Sequence, residues 1–175
     1  EGDVVRVPPI RVAEKSATAA VPARDFTLAH EDEALMVIDK PAGVAVHGGS
    51  GVSFGVIEQL RRARPQARLL ELAHRLDRET SGLLIVAKKR SALVRLHDMF
   101  RDGKIAKRYL ALIKGRWMNP QQHVRLPLHK YLTEEGERRV AVSREGKEAH
   151  SIVRLVARWR NFSLVEVELM TGRTH

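Results

Sequence analysis

HRLDRETSGLLIVAKK, His74 to Lys89, is the stretch that decides the fold. Up to Gly82 it mixes acids, bases and hydroxyls and closes on Ser-Gly, the chemistry of a loop. Leu83–Ala87 is then apolar without interruption. So short a run, without alternation, predicts a strand covered on both faces and central in its sheet. Asp77 therefore stands at the mouth of that strand, with Arg75 and Arg78 as neighbours.

The same reading extends in both directions. Upstream, Ala34–Ile38 is an apolar strand, broken by the turn residues Lys40-Pro41-Ala42-Gly43 and resumed by Val44–Val46. HGGSG, His47–Gly51, reads as a flexible loop. Ser53 is placed to cap a helix with Val56, Ile57 and Leu60 at helical spacing, ended by Pro65. Downstream, Ser91 is placed to cap a second helix, with Leu93, Leu96, Met99 and Phe100 on one face and Gly103 beyond its end. KRYLALIKG, Lys107–Gly115, is a strand, and Arg138–Val142 alternates. Ser151–Val156 and Phe162–Met170 read as two long strands joined at Arg160-Asn161. Strands outnumber helices and the last several follow one another directly. This predicts an α+β fold with a mixed, largely antiparallel sheet.

The chain has 175 residues, 43% of them hydrophobic, enough for a core. It has no cysteine, which excludes disulfides, a thiolate nucleophile and thiolate zinc sites and fits a cytoplasmic location. No apolar run is long enough to span a bilayer, and EGDVVRVPPI has neither the basic head nor the apolar segment of a secretory signal. It also lacks an initiating methionine, so we read the start as processed or cut. Lysine and arginine number 31 against 21 acids, a net charge of +10, the footprint of a polyanion binder. RRARPQAR holds the densest run, and Arg61, Arg62, Arg64 and Arg68 are candidates for RNA-backbone contacts, as are Lys107 and Arg108. A solubilising surface is the bland alternative. Aromatic residues make up only 5%, so base-stacking platforms are not evident.

Phosphate-loop, dinucleotide and nucleophile-elbow motifs are absent, and the eight histidines show no metal-ligand spacing. Asp77 carries the chemical signal. A carboxylate is already an anion at neutral pH and needs no general base, and flanking arginines would keep it ionised. Such a group can attack or stabilise an electron-poor sugar carbon. Glu79 would be the second carboxylate of a glycosidase. A structural salt bridge at the strand entrance explains HRLD equally well. Tyr109, flanked by Lys107 and Arg108, can stack on a base or move a proton, or can be an ordinary half-buried strand tyrosine.

HRLDRETSGLLIVAKK, KRYLALIKG and the terminal TGRTH, supported by DKPAGVAVHGGSGVSFGVIEQLR, together resemble the RNA pseudouridine synthases that act on uridines of ribosomal and transfer RNA. The resemblance covers nearly all of residues 30–175. It implies the catalytic fold of that family and isomerisation of specific uridines in large-subunit (23S) ribosomal RNA, with no cofactor and no metal, by a cytoplasmic protein read as a monomer. It implies that Asp77 is the catalytic aspartate, that Arg75 helps to hold the target nucleotide out of its stack, that Tyr109 lies against the flipped base, and that His74 contacts substrate. It further implies a remnant of an RNA-binding (S4-like) module at 1–12, a linker at 13–24 and a catalytic domain at 25–175. That domain is read as truncated, because the family motif continues past TGRTH to an arginine that pairs with the aspartate. An RNA-binding or ribosome-assembly module without chemistry is the alternative.

Overall fold

Alternating and apolar runs leave this chain little choice but sheet. In the computed structural model, described for residues 21–49, 52–133 and 138–171, nine strands and two helices form. The expected remnant at 1–12, most of the linker expected at 13–24, and Gly172–His175 of TGRTH lie outside the described residues. The chain divides into two compact units, the first ending at Val94 and the second beginning at Arg95.

The first unit holds a four-stranded sheet of order β1-β2-β4-β3. Its strands are β1 (Leu28–Glu31), β2 (Leu35–Lys40), β3 (Glu71–Leu72) and β4 (Gly82–Ala87), every pairing antiparallel. The β1–β2 turn is made by Asp32, whose Oδ1 accepts the Ala34 and Leu35 N–H groups at 2.7 and 2.8 Å. Met36 faces Val86 and Ile38 faces Leu84 across the ladder, and all four are buried. β4 is interior, as its apolar run predicts, but it is not covered on both faces. Leu83 is 61% exposed, so the strand obeys the alternation of a half-covered antiparallel sheet.

Helix α1 (Val56–Ala63) buries Val56, Ile57 and Leu60 and ends two residues before Pro65. Its start corrects two expectations. The cap is Gly55, not Ser53, and Val44–Val46 forms no strand. Instead the carbonyls of Ala45 and Val46 accept the first helical N–H groups, of Val56 and Ile57, at 2.9 and 3.1 Å. A Cβ on Gly55 would lie 2.5 Å from the His47 nitrogen, so only glycine allows this approach. Glu58 Oε2 completes the arrangement by accepting the Gly55 and Gly48 N–H groups at 2.8 and 3.1 Å.

α2 (Arg90–Arg101) crosses the division between the units. Ser91 lies inside it rather than capping it, and Leu93 and Leu96 are its buried pair.

The second unit holds a five-stranded antiparallel sheet, order β5-β9-β8-β6-β7, rather than a continuation of the first. The strands are β5 (Arg108–Lys114), β6 (Gln121–Leu132), β7 (Arg138–Val142), β8 (Lys147–Arg158) and β9 (Phe162–Leu169). One face carries the buried Ala149, Val153, Ser163 and Val165. The sequence reading missed β6, because Pro127 interrupts it. Pro127 sits where the ladder to β8 gives way to the ladder to β7, a place where a missing N–H is tolerated.

Candidate active site

Asp77 belongs to the loop that leads from β3 into β4. The ladder carries past β3: Ala73 N–H donates to the Ile85 carbonyl at 3.0 Å, and Ile85 N–H donates to His74 Nε2 at 3.1 Å. An imidazole thus takes the place of a main-chain acceptor. Burial pushes His74 below the ordinary histidine range, and a backbone hydrogen bond at Arg75 opposes this. The ring is therefore neutral near pH 7, with Nε2 bare. Leu76 is buried and pins the loop from below, while Arg75, Asp77, Arg78 and Glu79 are exposed. Thr80 N–H donates to the Asp77 carbonyl at 3.1 Å, closing a turn with Asp77 at its head. Gly82 follows at φ +116°, a backbone that side-chain-bearing residues rarely adopt, and turns the chain into β4.

The most deeply set charge of this region is Lys40, whose side chain has no exposed surface. Its Nζ donates to the carbonyls of Val44, Pro41 and Arg78 at 2.8, 2.9 and 3.1 Å. A single ammonium therefore ties the turn after β2 to the turn that carries Asp77. Gly43 N–H to the Arg78 carbonyl at 2.9 Å, and Arg78 Nε to the Gly43 carbonyl at 3.0 Å, add a reciprocal pair. Burial pushes Lys40 below the usual lysine range; the charges of Glu79 and then Asp77 act the other way.

This corrects the picture of Asp77 set among arginines. Arg78 turns to Gly43 and lies 3.6 Å from Glu79, and among the described residues Arg75 and Asp77 make no ion pair. Successive side chains of a tight turn point apart, so neighbours in sequence need not be neighbours in space. The cation held near Asp77 is the buried Lys40. Its signal was present in the sequence: Met36, Ile38 and Lys40 share one phase of an alternating strand, so Lys40 falls on the covered side.

The arginines of RRARPQAR divide into two kinds. Arg61 Nε and one terminal nitrogen donate to the Leu70 carbonyl at 3.0 and 2.8 Å, and that nitrogen lies 2.9 Å from Glu71. Arg64 pairs with Asp25 at 3.0 Å and Glu31 at 2.9 Å. Hydrogen bonding from Lys88 at 2.7 Å is the largest influence holding Glu31 below the usual carboxylate range. Arg62 and Arg68 are exposed and make no ion pair among the described residues.

Tyr109, Lys107 and Arg108 belong to the second unit. Tyr109 is half-buried on β5 opposite Val167, on the apolar face; Arg108 is on the other face, opposite Glu168. The Lys107 carbonyl accepts Leu169 N–H at 2.9 Å, just before the strand. Chemically, the first unit offers an exposed carboxylate on a braced turn, and the second an aromatic hydroxyl on a strand edge.

Comparison with known proteins places these features in context. The family described as RNA pseudouridylate synthase matches residues 34–175. The chain is 49% identical to the ribosomal large subunit pseudouridine synthase C of Escherichia coli (strain K12) over 180 aligned positions, covering 99% of this chain and 56% of that protein. With the protein of the same name from Yersinia pestis the identity is 50% over 181 positions, covering 100% and 57%. The chain thus spans little more than half the length of these relatives. Among solved structures, human RNA pseudouridylate synthase domain containing 4 superposes with a TM-score of 0.70 at 25% identity, covering 85% of this chain and 60% of the other. Human RNA pseudouridylate synthase domain containing 1 superposes with a TM-score of 0.73 at 21% identity, covering 86% and 62%, and shares the fold.

Proposed function

The chain belongs to the RNA pseudouridylate synthase family, and from that premise we propose that it isomerises uridines of large-subunit ribosomal RNA to pseudouridine with Asp77 as the catalytic carboxylate. The reaction conserves every atom. The bond from ribose C1′ to N1 breaks, a bond from C1′ to C5 forms, C5 loses a proton and N1 gains one. A carboxylate serves whether it adds to C1′ or takes a proton at C2′, and both courses need it ionised.

The observation that carries this reading is the turn itself. Asp77 stands exposed at the head of a turn held by Leu76 beneath, by Thr80 across and by Lys40 from behind. Such bracing fixes a carboxylate before substrate arrives. The target atoms lie within stacked RNA, so the nucleotide must be flipped out at a cost of roughly a few kcal/mol. In this reading Arg75 keeps the nucleotide extruded, Tyr109 lies against its base, and His74 holds the loop from inside. Arg62, Arg68, Lys107 and Arg108 offset the cost through phosphate contacts, which carry no sequence information. The protein acts as a cytoplasmic monomer without cofactor or metal; residues 25–175 carry the catalytic domain, preceded by the linker at 13–24 and the RNA-binding remnant at 1–12. An RNA-binding module without chemistry would share the charge but would gain nothing from an exposed carboxylate on a braced turn, which repels phosphate.

Asp77→Asn is close to isosteric and leaves the main-chain bonds of the turn in place. We expect it to bind RNA as the unaltered protein does and to release no tritium from RNA labelled at uridine C5, a loss of at least about 10⁴-fold. Undiminished tritium release would remove Asp77 from the reaction.

A further inference from the structure

On the outer face of the second sheet, His123 and His150 stack with ring centroids 5.2 Å apart and planes inclined by 25°. His123 Nδ1 lies 3.0 Å from His150 Nε2. Arg125, two residues along β6 from His123, sits directly opposite His150 in the ladder. A cation directly across from a group that can itself become cationic destabilises a sheet. Among the described residues Arg125 makes no ion pair that would relieve this. The contrast with Arg154, on the same face, is instructive. Arg154 pairs with Glu168 at 2.7 Å and Glu166 at 3.4 Å, and its Nε reaches Gln121 Oε1 at 3.2 Å. The two β9 carboxylates are thus engaged, and Glu148, next on this face of β8, stands opposite Pro127.

We propose that His123, Arg125 and His150 form a binding site for a backbone phosphate of the RNA, one that takes up a proton as the phosphate arrives. The site rests on the RNA substrate proposed above and adds a place and a chemistry for its contact. The short ring-to-ring contact needs one N–H and one bare nitrogen. The pair is therefore stable as neutral or singly protonated, and a second proton would put two N–H groups against each other. Partial burial, then the charges of Arg125 and His123, push His150 below the ordinary histidine range, so without ligand its ring stays uncharged near neutral pH. A phosphate beside Arg125 cancels that repulsion and favours the singly protonated pair. Gln121, Glu148 and Ile152 complete the surroundings on β6 and β8, and the main-chain N–H of His150 donates to the Thr171 hydroxyl at 3.1 Å.

The test is fluorescence anisotropy of a labelled uridine-containing RNA hairpin, titrated between about pH 5.5 and 8 at fixed ionic strength. Affinity should rise as pH falls, by no more than one proton's worth per pH unit. His123→Gln with His150→Gln, which keeps neutral hydrogen-bonding side chains, should lose the acid gain. Arg125→Gln, on an exposed strand position, should weaken binding about 5-fold and lower the salt slope by about 0.7. An acid gain that survives the double substitution, or an unchanged salt slope in Arg125→Gln, overturns the site and leaves the proposed function standing. Failure of the unaltered protein to bind RNA at all overturns the RNA-substrate reading together with the site. Imidazole resonances that respond to inorganic phosphate but not to the RNA would also overturn the assignment, since the site would then hold a free anion.

Discussion

His74 shows what one side chain can do as a substitute for backbone. β3 is two residues long, and the ladder to β4 is prolonged by an imidazole nitrogen accepting Ile85 N–H. That acceptor exists only while Nε2 is bare. The folded protein holds His74 below its ordinary value, so as pH falls the unfolded chain takes up the proton first, near about 6.5. Stability from this group is therefore full above that value and declines as pH falls toward the folded value. We expect urea midpoints to drop on acidification from pH 7. His74→Gln, whose side-chain oxygen can accept the same N–H without titrating, should be less stable at pH 7 but show a flatter profile. An equally steep profile in the variant would show that other groups govern the acid response.

At the scale of elements, the decisive contact is Lys40 holding the turn after β2 to the Asp77 turn. Lys40→Met keeps the stem's apolar volume and leaves three carbonyls without their donor. We expect a loss of about 2–4 kcal/mol in unfolding free energy and faster amide exchange at Gly43, whose N–H bridges the two turns, and at Thr80, whose N–H closes the Asp77 turn. Normal protection at both amides would mean that Lys40 fills space only. What could be read from the sequence at this scale followed the patterned strands: β2, β4, β5, β7, β8 and β9 announce themselves by apolar runs or alternation. β1, with all four residues exposed, is held by main-chain pairing and the Asp32 turn, so no hydrophobic pattern marks it. β6 is obscured by Pro127. The start of α1 is misplaced by local rules because the acceptors of its first N–H groups, the Ala45 and Val46 carbonyls, are supplied by a segment packed back against it, and the capping carboxylate, Glu58, lies inside the helix. Asp77 and Tyr109, in the site proposed here, are singled out by motif wording alone. Lys40 is easily passed over because KPAG reads first as a turn.

At the scale of the whole molecule, a net charge of +10 suits a polyanion such as the RNA proposed above without saying which cations meet it. The structure separates them. Arg61 and Arg64 are engaged with Leu70, Glu71, Asp25 and Glu31, whereas Arg62 and Arg68 stand exposed in the same run. The surface pairs are individually worth about 0–1 kcal/mol, but the Arg61 bonds to a main-chain carbonyl join the end of α1 to the start of β3. Arg61→Gln with Arg64→Gln should therefore lower the melting temperature by a few degrees. Arg62→Gln with Arg68→Gln should leave it unchanged, weaken RNA binding, and reduce the slope of log affinity against log salt by about 0.7 for each phosphate that is no longer neutralised. Melting curves and salt titrations on the two double variants decide between these roles. If the first pair alters the salt slope and the second does not, the fold-engaged arginines also meet the RNA, and the two exposed ones serve solubility.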